Sequence, residues 1–352
     1  MKDLSWTGDE SLVRPLVGAV SRIAIHHDDA TGRLSPRCQR LRALSGCDDS
    51  ALTQQLSDLM SETWLPPPAD RRRTLNIVQA VILGVVEGLT EFLPVSSTGH
   101  LTIVEELMGL TIDDASVTAF TAIIQVGAIA AVVIYFRHDI VRLTSTWGRG
   151  LTSESARREP EYRLAWAVIV GSMPIGVIGF LAKDVIAGPL RSLWVVAGAL
   201  IAWSAVMYAA ERWATQRRGD REITIRDGVI VGAVQCIALV PGVSRSGATI
   251  SAGLFLGLDR VAATRLSFFL SIPALTAAGG YEAATTATDI SGGVGWTATV
   301  IATLVSAIVA YATIAWLLRF VSHHPITYFV GYRILLGVIL IGLLSSGVLA
   351  AT

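Results

Sequence analysis

A small set of polar side chains carries the chemistry open to this sequence. Glu87 and Glu91 stand four residues apart, so a helix places them on one face, within an otherwise apolar stretch at 80–93. Carboxylates at that depth can hold a divalent cation, or one can act as a general base; the competing reading puts both at a helix end facing water. Gly84 and Gly88 add a ridge on which another helix can pack closely. The run 94–100 reads Pro-Val-Ser-Ser-Thr-Gly-His. Proline ends the helix, glycine permits a tight turn, and Ser96, Ser97 or Thr98 can cap the helix that follows. The free N–H groups at that helix start form an anion site. His100 falls in this apolar, interrupted stretch, whereas His26, His27, His138, His323 and His324 fall in a polar tail or in expected loops.

A second run, 241–250, reads Pro-Gly-Val-Ser-Arg-Ser-Gly-Ala-Thr-Ile. Arg245 offers a guanidinium that matches a phosphate bidentately, and the glycines let backbone N–H groups approach phosphate oxygens. The alternative is that Arg245 neutralises Glu87 or Glu91 as a structural pair. The expected phosphate contacts are Ser96, Thr98, Ser244, Arg245, Ser246, Gly247 and Thr249. The expected reactive groups are Glu87, Glu91, Ser97, His100 and Arg245, with Glu87 and Glu91 doubling as ligands of a cation. Carboxylates, hydroxyls, an imidazole and a guanidinium at membrane depth suit phosphoryl transfer to water, directly or through a covalent intermediate. Either His100 attacks phosphorus or it activates a hydroxyl such as Ser97. The depth points to a substrate whose other end is lipid.

The elements that must position these groups are membrane elements. Of 352 residues 52% are hydrophobic and 16% charged, with a mean hydropathy of +0.56; a soluble domain carries about a quarter charged residues. Apolar segments at 117–136, 162–182, 192–211, 263–282, 294–318 and 326–350 each approach the roughly 20 residues that cross a bilayer. Residues 76–110 and 226–258 are apolar but interrupted, as in a helix–loop–helix that dips into the membrane and turns back. The expected architecture is an all-α integral membrane protein with six full spans and two re-entrant pairs. Cys38, Cys47 and Cys236 offer neither a disulfide framework nor zinc spacing. Lys plus Arg balances Asp plus Glu at 28 each, so net charge points to no acidic partner, and no nucleic acid is expected. Residues 1–73 read as a polar, flexible extension without a signal-peptide core, or as sequence preceding a true start at Met60; 74–352 reads as the membrane domain.

Gly84-Val85-Val86-Glu87 aligns with Gly232-Ala233-Val234-Gln235, and Val95-Ser96-Ser97-Thr98-Gly99 aligns with Val243-Ser244-Arg245-Ser246-Gly247 at the same offset. Three spans separate the copies, which predicts an inverted-topology repeat with halves at about 76–211 and 226–350. Arginines crowd 137–163 and 212–226 but are sparse in 183–191 and absent from 283–293. The first two connections are therefore expected in the cytoplasm, the latter two and both termini outside.

At the two polar runs the sequence resembles the undecaprenyl-diphosphate phosphatase family, the bacitracin-resistance type of bacterial lipid pyrophosphatase. The resemblance extends from about Ile77 to the C-terminus and is carried by residues 87–100 and 241–249. It implies removal of the terminal phosphate of undecaprenyl diphosphate in the bacterial plasma membrane, recycling the carrier for cell-wall synthesis. It also implies a divalent cation, Mg2+ or Ca2+, an isoprenoid diphosphate partner amid membrane lipid, and a site open to the external face; a homodimer is left open. Its functional positions carry over to Glu87, Glu91, Ser97, His100, Ser244, Arg245 and Thr249. The rival class is a transporter or flippase for a phosphorylated isoprenoid lipid, which inverted repeats with broken helices also suit. The grouping of His100, Glu91 and Ser97 favours an enzyme, because a carrier needs anion binding but no proton-transfer group.

Overall fold

The computed structural model describes residues 75–110, 114–182, 185, 190, 192–290 and 294–349; these are helical, with no strand among them. The 1–73 extension and most of the 183–191 connection, with Lys183 and Arg191, lie outside the described residues. Helix α1 (Ile77–Thr90) starts at a reciprocal Asn76–Gln79 capping box and is followed, after a turn, by α2 (Ser97–Leu107). Next come α3 (Ala115–Tyr135), α4 (Arg137–Gly150), α5 (Glu154–Arg157), α6 (Pro160–Leu181) and α7 (Leu193–Trp213). The second interrupted segment gives α8 (Ile225–Gln235), with a Thr224–Asp227 capping box, a 3-10 turn at Cys236–Leu239, and α9 (Arg245–Phe255). The chain closes with α10 (Arg260–Ile290), α11 (Trp296–Val321) and α12 (Thr327–Ser345).

Helices α3, α6, α7, α10, α11 and α12 are long and apolar enough to cross a membrane. The chain is a multi-pass membrane protein. Two expected connections turn out to be helical. The 137–163 stretch forms α4 and α5, because Ile140, Leu143 and Trp147 recur at helical spacing and pack on the main core while Arg137, Arg142 and Arg149 stay exposed. Helix α10 also continues to Ile290, through the start of the expected 283–293 loop.

The two broken segments are each clasped by a helix from the other half, α1 by α11 and α8 by α6. Glycine makes this approach possible. A Cβ on Gly84 would stand 2.5 Å from the Ala302 carbonyl oxygen, and one on Gly88 would stand 2.7 Å from that of Ser306. In the other half Gly228 and Gly232 press equally hard on the Ala167 and Gly171 carbonyls. With lipid as solvent there is little hydrophobic drive between helices, so close backbone packing supplies the attraction.

Ion pairs tie the polar ends together. Arg265 reaches Asp220 at 2.6 Å and Asp139 at 3.3 Å, and Arg218 reaches Asp227 at 2.5 Å. Burial pushes the Asp220 carboxyl above its ordinary value, and the Arg265 charge opposes that shift. Gly84→Val and Gly232→Val are each expected to lower the thermal midpoint of the detergent-solubilised protein, since overpacking a tight contact costs about 1–3 kcal/mol. Gly176→Ala, where the added Cβ meets open space, should leave the midpoint unchanged.

Candidate active site

Both breaks use the same local device. Ser96 and Ser244 cap α2 and α9 with φ of 78° and 74°, a region that non-glycine residues rarely occupy. Such strain persists only where the surroundings over-determine it. The Ser96 hydroxyl accepts from the Gly99 amide at 3.4 Å, and the Ser244 hydroxyl accepts from the Gly247 amide at 3.2 Å. The breaks also bond to each other. The Gly242 amide donates to Ser96 Oγ at 3.2 Å, and Ser246 Oγ donates to the Leu93 carbonyl at 2.8 Å.

Arg333, on α12 and fully buried, completes the clasp. Its guanidinium donates to the Pro94 carbonyl at 3.1 Å, the Gly242 carbonyl at 2.8 Å, the Leu200 carbonyl at 3.3 Å and Ser204 Oγ at 3.2 Å. One side chain thereby satisfies backbone carbonyls freed at both interruptions.

The ionisable side chains converge on this junction. Glu91 Oε2 accepts from Ser97 Oγ at 2.5 Å, while Oε1 accepts from Arg245 Nη2 at 3.0 Å and from Gln125 Nε2 at 3.4 Å. Arg245 therefore does form the ion pair weighed as its alternative role, and its buried Nη1 has no hydrogen-bond partner among the described residues. Glu87 Oε1 is likewise buried without a partner. Glu87, Ser97 and Thr98 line a cavity of about 180 Å³ together with Glu105, Thr121 and Gln125. Glu91, Glu105 and Arg245 all lie close enough to Glu87 to act on its charge. His100 bonds the Ser96 carbonyl through Nδ1 at 2.7 Å and the Tyr332 hydroxyl through Nε2 at 2.6 Å.

The serine and threonine hydroxyls divide into two groups. Ser97 and Thr98 face the cavity. Ser96, Ser244 and Ser246 spend theirs on building the breaks, and Thr249 bonds the Arg245 carbonyl at 2.8 Å and Ser267 Oγ at 2.6 Å. Gly247 serves through its amide. Glu105, Gln125, Tyr332 and Arg333 enter the site without having been singled out in the sequence. Arg333 had a visible signal, an arginine inside an apolar span-length segment. Glu105, beside Glu106, reads instead as the polar end of a helix.

The family described as bacitracin resistance protein BacA matches residues 80–339, which take in both breaks, Tyr332 and Arg333. The chain belongs to the BacA family. Within it, this BacA chain is 58% identical over 278 residues to undecaprenyl-diphosphatase 3 of Frankia casuarinae, covering 79% of this chain and all of that relative. It is 56% identical over 284 residues to the undecaprenyl-diphosphatase of Cutibacterium acnes, covering 79% of this chain and all of the relative. It is 50% identical over 279 residues to that of a Mycobacterium species, with the same coverage. Arg333→Met in this BacA chain would strip partners from the Pro94 and Gly242 carbonyls, at about 1–3 kcal/mol for each group left buried and unsatisfied, while the Leu200 carbonyl keeps the Ser204 hydroxyl. The expected outcome is loss of monodisperse protein on size-exclusion chromatography, with Arg333→Lys intermediate.

Proposed function

We propose that this chain hydrolyses undecaprenyl diphosphate to undecaprenyl phosphate and inorganic phosphate, returning the carrier lipid to cell-wall synthesis. The observation that carries the mechanism is the hydrogen bond from Ser97 Oγ to Glu91 Oε2 at 2.5 Å. It pairs a hydroxyl nucleophile with a base whose second oxygen is held by Arg245. In the first step Ser97 Oγ bonds to the terminal phosphorus, its proton passes to Glu91, and the bond from phosphorus to the bridging oxygen breaks. Undecaprenyl phosphate leaves. In the second step water attacks the phosphoserine and gives a proton to His100. The Ser97–phosphorus bond then breaks and Ser97 takes its proton back from Glu91, so the sum is one water consumed.

Arg245 has a double duty here. Its spare Nη1 donates to a phosphate oxygen, and drawing the guanidinium towards phosphate loosens its hold on Glu91, which strengthens the base as substrate arrives. The N–H groups at the start of α2 receive the transferring phosphoryl oxygens.

The oxygen-rich lining of the cavity fits a hard divalent cation such as Mg2+ or Ca2+. Glu87, whose Oε1 has no partner among the described residues, and Glu105 are its best-placed ligands; Glu91, expected beside Glu87, is committed to Ser97 and Arg245. Among the described residues no three His, Cys, Asp or Glu side chains group as a ready-made metal site. A bound cation would offset negative charge on the phosphoryl oxygens.

The two broken pairs are read as re-entrant, in inverted topology, so that each half buries the other's interruption. The protein sits in the bacterial plasma membrane with the arginine-rich connection after α3 in the cytoplasm. Val117, Thr118 and Thr121 of the cavity lie in the first turns of α3, at the end away from that connection, which supports a cavity open to the external face.

Phosphate release by purified full-length protein in detergent tests the proposal. Ser97→Ala, Glu91→Gln, His100→Ala and Arg245→Ala should each lower kcat by about 100- to 10,000-fold, the range for lost acid–base groups. Near-normal hydrolysis by both His100→Ala and Arg245→Ala would sink it. Wild-type protein that moves lipid between leaflets yet releases no phosphate would favour the flippase reading. Mn2+ paramagnetic resonance on the purified protein should show binding that weakens in Glu87→Gln and in Glu105→Gln.

A further inference from the structure

Tyr332 makes the closest contact to the imidazole, and nothing in the proposed chemistry above assigns it a part. Carbonyl oxygens only accept hydrogen bonds, so the 2.7 Å contact from His100 Nδ1 to the Ser96 carbonyl fixes the ring proton on Nδ1. The neutral ring then has its lone pair on Nε2, and Tyr332 donates its hydroxyl proton there across 2.6 Å. The two rings lie nearly parallel, 12° apart with centroids 5.6 Å from each other. Tyr332 is 46% exposed, so its hydroxyl stands between a half-buried imidazole and the surroundings.

The placement is rigid for a reason that lies in the next residue. Arg333 pins α12 to the Pro94 and Gly242 carbonyls, and the same turn of helix delivers the Tyr332 hydroxyl to His100. The Arg333 guanidinium is also the charged group that acts on the His100 ring.

We infer that Tyr332 is the positioning residue of His100, orienting Nε2 in the resting state and carrying away the proton that His100 collects. When water attacks the phosphoserine, Nε2 takes its proton. The new Nε2–H donates to the Tyr332 oxygen, and as that proton passes to the phenol the phenol gives its own to a water molecule, so one proton leaves per turnover and both groups are restored. This rests on the reading that His100 moves a proton in the proposed reaction.

The test is phosphate release and its pH–rate profile for purified full-length wild type, Tyr332→Phe, His100→Gln and the double variant. Tyr332→Phe keeps the ring and its stacking, and thermal midpoints check that it folds. Its kcat should fall about 10- to 100-fold, as when a functional histidine loses its orienting partner. KM should stay within about twofold, and the limb of the pH profile that disappears in His100→Gln should be displaced. Added to His100→Gln, Tyr332→Phe should cost nothing more. A wild-type kcat and pH profile in Tyr332→Phe, an effect confined to KM, or equal losses in both backgrounds would each overturn the inference. Wild-type turnover by His100→Gln would instead overturn the reading on which it rests.

Discussion

The structure depends on an obligation of the backbone. A helix interrupted within an apolar environment exposes carbonyls and amides that have no water to meet them, at a cost of several kcal/mol each if left alone. Here two interruptions discharge the obligation on each other. Ser96 takes the Gly242 amide, Ser246 serves the Leu93 carbonyl, and Arg333 spans the carbonyls of Pro94 and Gly242. The breaks cannot separate without stranding these groups, so the junction is stiff although it contains no continuous helix. That stiffness holds Ser96 and Ser244 at positive φ and aims the starts of α2 and α9.

The same junction concentrates charge where charge is expensive. Glu87 has Glu91, Glu105 and Arg245 within electrostatic reach, and a surplus of carboxylates in a low dielectric is stable only while hydroxyls, an amide and a guanidinium share the load. Most partners of Glu91 are groups the proposed reaction would use. In that reaction arriving phosphate would compete for Arg245, and the nucleophile would be released from the same carboxylate. The ion pair weighed for Arg245 is present, and in the proposed reaction the same network would pass from that resting pair to a poised catalytic set.

Much of this was legible in the chain. The six long apolar helices follow from segment length and composition alone, and the paired polar runs at 94–100 and 241–250 locate the junction. Hydropathy is a property of a segment, however, and partners belong to the fold. Arg333 passes unnoticed at 326–350 because seventeen apolar neighbours carry a single guanidinium across the average, while its four acceptors come from three other segments. The hydroxyls of Ser96, Ser244, Ser246 and Thr249 match phosphate ligands in type, and only three-dimensional placement shows them engaged with backbone and Ser267. Helix α4 was hidden for the converse reason: its arginines dominate composition, and its buried stripe is three residues wide.

The two breaks share a local fold while their side chains differ. At the position aligned with Glu87 the second half carries Gln235, fully buried and without a partner at either amide atom among the described residues. A buried carboxylate there would carry a desolvation cost that a neutral amide of nearly the same shape reduces. Where the first half places Ser97, the second places Arg245. Acid, hydroxyl and imidazole therefore come from one copy, and the cation that restrains them comes from the other. Only the assembled pair brings Arg245 against Glu91 and its Ser97 partner, so the interlocked backbone that satisfies the breaks also closes this network.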